Sequence, residues 1–167
     1  MDVQSILVLI AELGIGIAGF AAVAVAVASQ KSGQHSSLHV AQVNTMMFGS
    51  LGVVFMAVLP MLIALALPGS SFIWLIPSFL YSLAHLTFVM QLVRRLPTWR
   101  ELPGYSMQHT VFALSALSVS IGLNIYNLLY AGTSWPYLAS LACGLAVPSS
   151  RFIQIVGSLW QQEGGSG

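Results

Sequence analysis

Residues 5–29 read SILVLIAELGIGIAGFAAVAVAVAS, an apolar run broken by one carboxylate, Glu12. A membrane helix needs about 20 predominantly apolar residues to cross roughly 30 Å of hydrocarbon, and this run is long enough. The alternation AAVAVAVAS over 21–29 has the period of a strand. An isolated strand in lipid would leave its backbone N–H and C=O groups without partners, so the helical reading prevails. No Lys or Arg stands in the opening MDVQS, and the run exceeds the roughly 7 to 15 apolar residues of a leader core, so it reads as a retained helix.

Four more segments of this kind follow: Met46 to Leu67, Phe72 to Val93, Thr110 to Ala131 and Trp135 to Trp160. Between them, Pro68-Gly69-Ser70-Ser71 and Gly132-Thr133-Ser134 have turn chemistry, which makes helices two and three, and four and five, antiparallel hairpins. The expectation is an all-α integral membrane protein, a single five-helix transmembrane bundle over residues 1–163. Residues 164–167, GGSG, read as a linker remnant. A four-span alternative folds the last segment back at Pro148 as an interfacial helix.

Composition supports the membrane assignment. The chain is 57% hydrophobic and 5% charged, against about 25% charged in a soluble domain. A net charge of +1 with five Lys and Arg provides no basic surface for nucleic acid, leaving the lipid bilayer and other membrane proteins as the expected partners. The cations also set an orientation. In the five-span reading Lys31, Arg94, Arg95, Arg100 and Arg151 all fall on one side. By the positive-inside rule the N-terminus is then outside and the C-terminus cytoplasmic. Trp74 and Trp135 mark the outer interface, Trp99 and Trp160 the inner one. The lone Cys143, between Ala142 and Gly144, is expected to pack.

Glu12 is the one acidic residue inside a span, and an intramembrane charge is a functional candidate by default. Asn124 and Asn127, placed about 6 to 11 Å from the outer end of their helix, reach a similar depth. Ser78, Tyr81 and Ser140 join that layer, which has the composition to bind a cation or relay a proton. His85, deeper, with Ser118 at comparable depth, is a second candidate. The alternative for all of these is interhelical hydrogen bonding with no transport role. Gly14, Gly16 and Gly19 match the spacing of a dinucleotide loop, but no strand precedes them, so that reading fails. Gly14, Ala18, Ala22 and Ala26 repeat every four residues, and with Gly16 and Gly19 they form a small-residue packing seam. Arg94, Arg95 and Arg100 suit acidic lipid head groups, although their role in setting topology accounts for them fully.

Several chemistries are excluded. A retinal Schiff base needs a lysine within a span, and Lys31 lies in a loop. No protease nucleophile–base pair or HExxH motif occurs. Haem would need a second ligand level with His85, whereas His109 is at a helix end and His35 and His39 are in a loop. The spacing of His35 and His39 suits a metal but no third ligand is near. No enzyme activity, cofactor or metal is expected.

The stretches AELGIGIAGF (11–20), SLGVVFMAVLP (50–60) and FIWLIPS (72–78) resemble a set of small uncharacterised bacterial multi-pass proteins that open with an acidic residue and an IAGF segment. The resemblance covers about the first half of the chain. It implies a bacterial inner membrane and draws attention to Glu12 and Gly19-Phe20. Together these readings predict a small homo-oligomer that forms an ion or proton pathway at Glu12, with the first helix near its axis. A non-catalytic scaffold or accessory subunit, packed on another membrane protein or lipid, is the competing expectation.

Overall fold

The computed structural model describes the backbone of residues 2–31, 37–101 and 105–164, and the side chains of 2–23, 43–101, 105–130 and 132–154. It is all-helical: α1 (Val3–Lys31), α2 (Ser37–Ala66), α3 (Phe72–Arg100), α4 (Met107–Tyr126) continued by a π turn (Asn127–Ala131), and α5 (Ser134–Gly164). The helices run past the apolar windows at several ends. Residues 37–45 and 94–100, expected in loops, extend α2 and α3. Hydropathy reports the part of a helix that suits lipid, whereas Gln, Arg and Leu continue it readily into the polar interface.

Among the described residues, four helices are long and apolar enough to cross a membrane, over Val3–Val23, Val43–Ala66, Phe72–Arg100 and Met107–Tyr130. The described part of α5 is less apolar, with Pro136, Ser140, Pro148, Ser149, Ser150 and Arg151. Its position accounts for this, because α5 packs broadly on α4, α2 and α1 and also touches α3. A helix enclosed by other helices meets little lipid and can carry more polar residues. The other contacts complete the bundle: α1 on α2, α2 on α3, and α3 on α4.

Local chemistry sets the ends. Asp2 caps α1, its carboxylate accepting the Ser5 N–H at 2.7 Å, and this bond holds the Asp2 carboxyl below its ordinary range. Gly69 (φ 75°) and Gly132 (φ 56°) take the left-handed conformation in the two hairpin turns. Position 14 is a close approach, because a Cβ there would meet Val54 Cγ2 at 2.7 Å and the Ser50 carbonyl at 3.1 Å.

The expected four-residue ridge on α1 is only partly the packing face. Gly14 is buried, but Ala18 is half-buried and Ala22 exposed, while the side chain of Ala26 lies outside the described residues. The buried row is Leu7, Ile10, Gly14 and Ala21. Each four-residue step overshoots a helical turn by about 40°, so a strict repeat of four winds off the contact within two steps.

Proline 60 lies inside α2 and is fully buried. It has no N–H to give the carbonyl four residues earlier, that of Met56. Tyr137 on α5 supplies the missing donor: its hydroxyl reaches the Met56 carbonyl at 2.6 Å. The same Tyr137 is fully buried and packs against Trp74 and Tyr81. Tyr137→Phe should therefore destabilise the bundle by about 1–3 kcal/mol, the cost of a buried unpaired carbonyl. In a Pro60→Ala background, which restores the N–H, the penalty should shrink. Thermal unfolding of the four proteins in a double-mutant cycle measures this, and equal penalties in both backgrounds would refute the pairing.

Candidate functional site

The polar layer expected from the sequence exists on the inside of the bundle, built from α3, α4 and α5. Asn127, fully buried, sits where the π turn begins. Its Nδ2 donates to Ser78 Oγ at 2.9 Å and its Oδ1 accepts the Thr133 N–H at 2.9 Å. The carbonyl of Asn127 accepts the Gly132 N–H at 2.9 Å. One asparagine thereby fastens the α4–α5 turn to α3.

One turn deeper, Asn124 Nδ2 donates to the Ser120 carbonyl at 3.0 Å, and Ser140 Oγ donates to Asn124 Oδ1 at 3.1 Å. Ser140 Oγ also lies 2.9 Å from the Tyr137 carbonyl, so its one proton is shared. Ser120 Oγ lies 3.1 Å from the Ser140 carbonyl and 3.0 Å from His85 Nδ1. A carbonyl only accepts, so the hydroxyl proton of Ser120 belongs to that contact. His85 Nδ1 must then carry hydrogen and donate to Ser120, which leaves the lone pair of the neutral ring on Nε2. The tautomer is assigned here from the hydrogen-bond network.

The serine beside His85 is Ser120, not Ser118. Two positions along an α-helix turn the side chain by about 200°, and Ser118 is exposed while Ser120 is fully buried. Tyr81 stacks beside His85 with ring centroids 4.0 Å apart. Its hydroxyl is buried without a hydrogen-bond partner among the described residues, and it is turned towards α5, where a Cβ at Gly144 would overlap it. The sequence offered no sign that Gly144 is where the tyrosine fits.

Asn124, Asn127, Tyr81 and His85 are thus brought together, and Glu12 is not among them. Glu12 is exposed on α1, beside a shallow depression with Asp2, Ser5, Val8 and Leu9. Gly16 and Gly19 share its face, both exposed, and a Cβ at either would meet nothing within 4 Å. Depth along a helix follows from residue spacing, but the direction in which a side chain points depends on which face the neighbours cover.

No protein family, curated protein or solved structure matches this chain. The geometry therefore carries the functional reading.

The remaining candidates are dispersed. Arg94, Arg95 and Arg100 are exposed. Arg95 and Trp99 line a groove with Asn44 and Gln91, while Arg100 Nη2 lies 3.9 Å from Met107 Sδ. Arg151 is 9% exposed and donates to Gln154 Oε1 at 3.1 Å. Trp135 is exposed next to Tyr126, whereas Trp74 is half-buried against Tyr137. Among the described residues no group of His, Cys, Asp and Glu could hold a metal. Cys143 is free and half-buried. His35 lies outside the described residues, as do the side chains of His39, Lys31 and Trp160.

Chemically, the layer is closed on itself. The bonds among Ser120, Asn124 and Ser140 end on the backbone carbonyls of Ser120, Tyr137 and Ser140, which cannot pass a proton onward. Asn127→Ala should lower stability by about 1–3 kcal/mol by stranding the Thr133 N–H and the Ser78 hydroxyl. An unchanged melting temperature in detergent would contradict that role.

Proposed function

We propose that the protein is a small multi-pass membrane protein that works as a homo-oligomer joined through the outer face of α1, with Glu12 lining an ion or proton pathway at the joint. In this reading α5 is the fifth span, the N-terminus is outside, the C-terminus is cytoplasmic, and the membrane is a bacterial inner membrane. The central place of α5 among the other helices supports five spans. The one-sided Lys and Arg distribution supports the orientation.

One observation carries the proposal: Glu12 faces away from its own bundle, on a surface where Gly16 and Gly19 are also open. An ionised carboxylate facing hydrocarbon costs a few kcal/mol, and a glycine surface offers lipid little to pack against. A second copy removes both problems. Small residues allow backbones to approach closely, and carboxylates gathered about an axis attract cations. The residues Val8, Glu12, Gly16, Gly19 and Val23 fall within about 40° of one line along the helix at 100° per residue, so the stripe is continuous.

A second reading is favoured by the closed hydrogen bonds of the inner layer. Those residues hold helices together and offer no path through one copy. If α1 instead receives a helix of a different protein, the chain is a non-conducting scaffold or accessory subunit.

Native mass spectrometry from nanodiscs, combined with proton flux into proteoliposomes, separates the two. A homo-oligomer that Gly16→Leu disperses and Glu12→Gln leaves intact, with flux falling to background in Glu12→Gln, is the expected result. A monomer without flux would favour the accessory subunit, and flux unaffected by Glu12→Gln would remove the carboxylate from the pathway.

A further inference from the structure

A groove between α2 and α3 is the other feature of this molecule that the inner hydrogen bonds leave unexplained. At the Arg95 end it opens as a space of about 390 Å³ with Asn44, Gln91, Arg95 and Trp99 on its walls. Thr45, Phe48 and Phe88 line both this space and a deeper cavity of about 180 Å³, which continues between Gly49, Gly52, Val53, Met56 and Gly144. The polar mouth and the apolar interior therefore adjoin, with Thr45, Phe48 and Phe88 as common walls. Among the described residues, no Asp or Glu lines either part.

Gly144 gives its space to Tyr81, but Gly49 and Gly52 do not serve close packing within the chain. A Cβ at Gly52 would meet nothing within 4 Å, and one at Gly49 would touch only Pro148, at 3.8 Å. Space is being left there. The interior is also apolar to an occupant although Tyr81 and His85 lie on its wall. The Tyr81 hydroxyl is buried and turned towards Gly144, His85 is only 9% exposed, and Phe88, Met56 and Val53 stand on the same wall.

We propose that this groove is a binding site for one anionic phospholipid, with the head-group phosphate at Arg95 and an acyl chain in the cavity beside Gly49 and Gly52. Charge favours it, since a cation and three further polar or amphipathic side chains ring the mouth with no carboxylate to compete. Depth favours it too. Arg95 to Tyr81 is about 21 Å along α3 at 1.5 Å per residue, enough for a chain running from the interface to the middle of a core about 30 Å thick. The exposed Phe48, Gly52 and Ala84 leave a side entrance through which a chain can slide from the bilayer. This site does not depend on how α1 is partnered.

The test is native mass spectrometry of protein released from nanodiscs holding equal amounts of dioleoyl phosphatidylglycerol and dioleoyl phosphatidylcholine. The wild type should retain one lipid, with phosphatidylglycerol preferred. Arg95→Gln should reduce that preference about fivefold, the worth of one surface cation near an anionic lipid. Arg100→Gln, outside the groove, should leave it unchanged. Gly52→Leu fills the chain slot where space exists and should reduce retention of both lipids, with helix content by circular dichroism confirming the fold. Equal effects of Arg95→Gln and Arg100→Gln would mean diffuse surface attraction and overturn the site. Undiminished retention in Gly52→Leu, or no lipid retained by the wild type, would overturn it as well.

Discussion

Every backbone polar group of a helix bundle in lipid must find a partner inside the protein, and Pro60 breaks that rule locally. Much of the interior is organised around the repair. Tyr137 donates to the carbonyl that the proline orphans, which requires α5 to lie against α2 with its first turns level with the middle of that helix. Once Tyr137 is there, Trp74 and Tyr81 pack around it, and Tyr81 in turn sets the ring of His85. A single missing N–H is thus answered by an aromatic cluster that ties α2, α3 and α5 together.

The polar content of α5 follows from the same position. Ser140 takes part in a closed set of hydrogen bonds with Asn124 and Ser120, and the fully buried Pro136 and Pro148 lie on the same helix. Such residues weaken the hydropathy of a helix, and they are tolerable where its neighbours are other helices. The outer helices show the reverse pattern. Between 22% and 28% of their most apolar windows is buried, so most of those side chains are left for lipid. Against that background Glu12 stands out as a carboxyl side chain on the outer face of α1.

The membrane helices were readable because the constraint that produces them is one-dimensional: enough consecutive apolar residues, ended by turn chemistry at Gly69 and Gly132. The depth of the polar layer was readable for the same reason, since 1.5 Å per residue converts position into height. Direction around the helix was not. The repeat Gly14, Ala18, Ala22 drifts off the contact face, Ser118 gives way to Ser120 as the partner of His85, and Glu12 lies on the exposed face of α1, apart from the asparagines. The helical extensions at 37–45 and 94–100 were missed because polar residues in an interface read as loop whether or not they are helical. Pro60 did contain a hint, since a proline inside a helix leaves the carbonyl four residues earlier in need of a donor, but which side chain would provide one depends on a helix 70 residues later.

The sequence by itself determined the solvent of this protein, the existence of its helices, and the heights at which its polar residues sit, because these follow from composition and from rise along a single helix. Tertiary structure alone decided which of those residues meet. It closed Ser120, Asn124, Ser140 and His85 into an internal network, left Glu12 with Gly16 and Gly19 on the outside, and kept Gly49 and Gly52 open as a groove. The physical reason is that a helix of 3.6 residues per turn presents several faces of similar hydropathy in an apolar chain. Only packing against specific neighbours selects the one that turns inward.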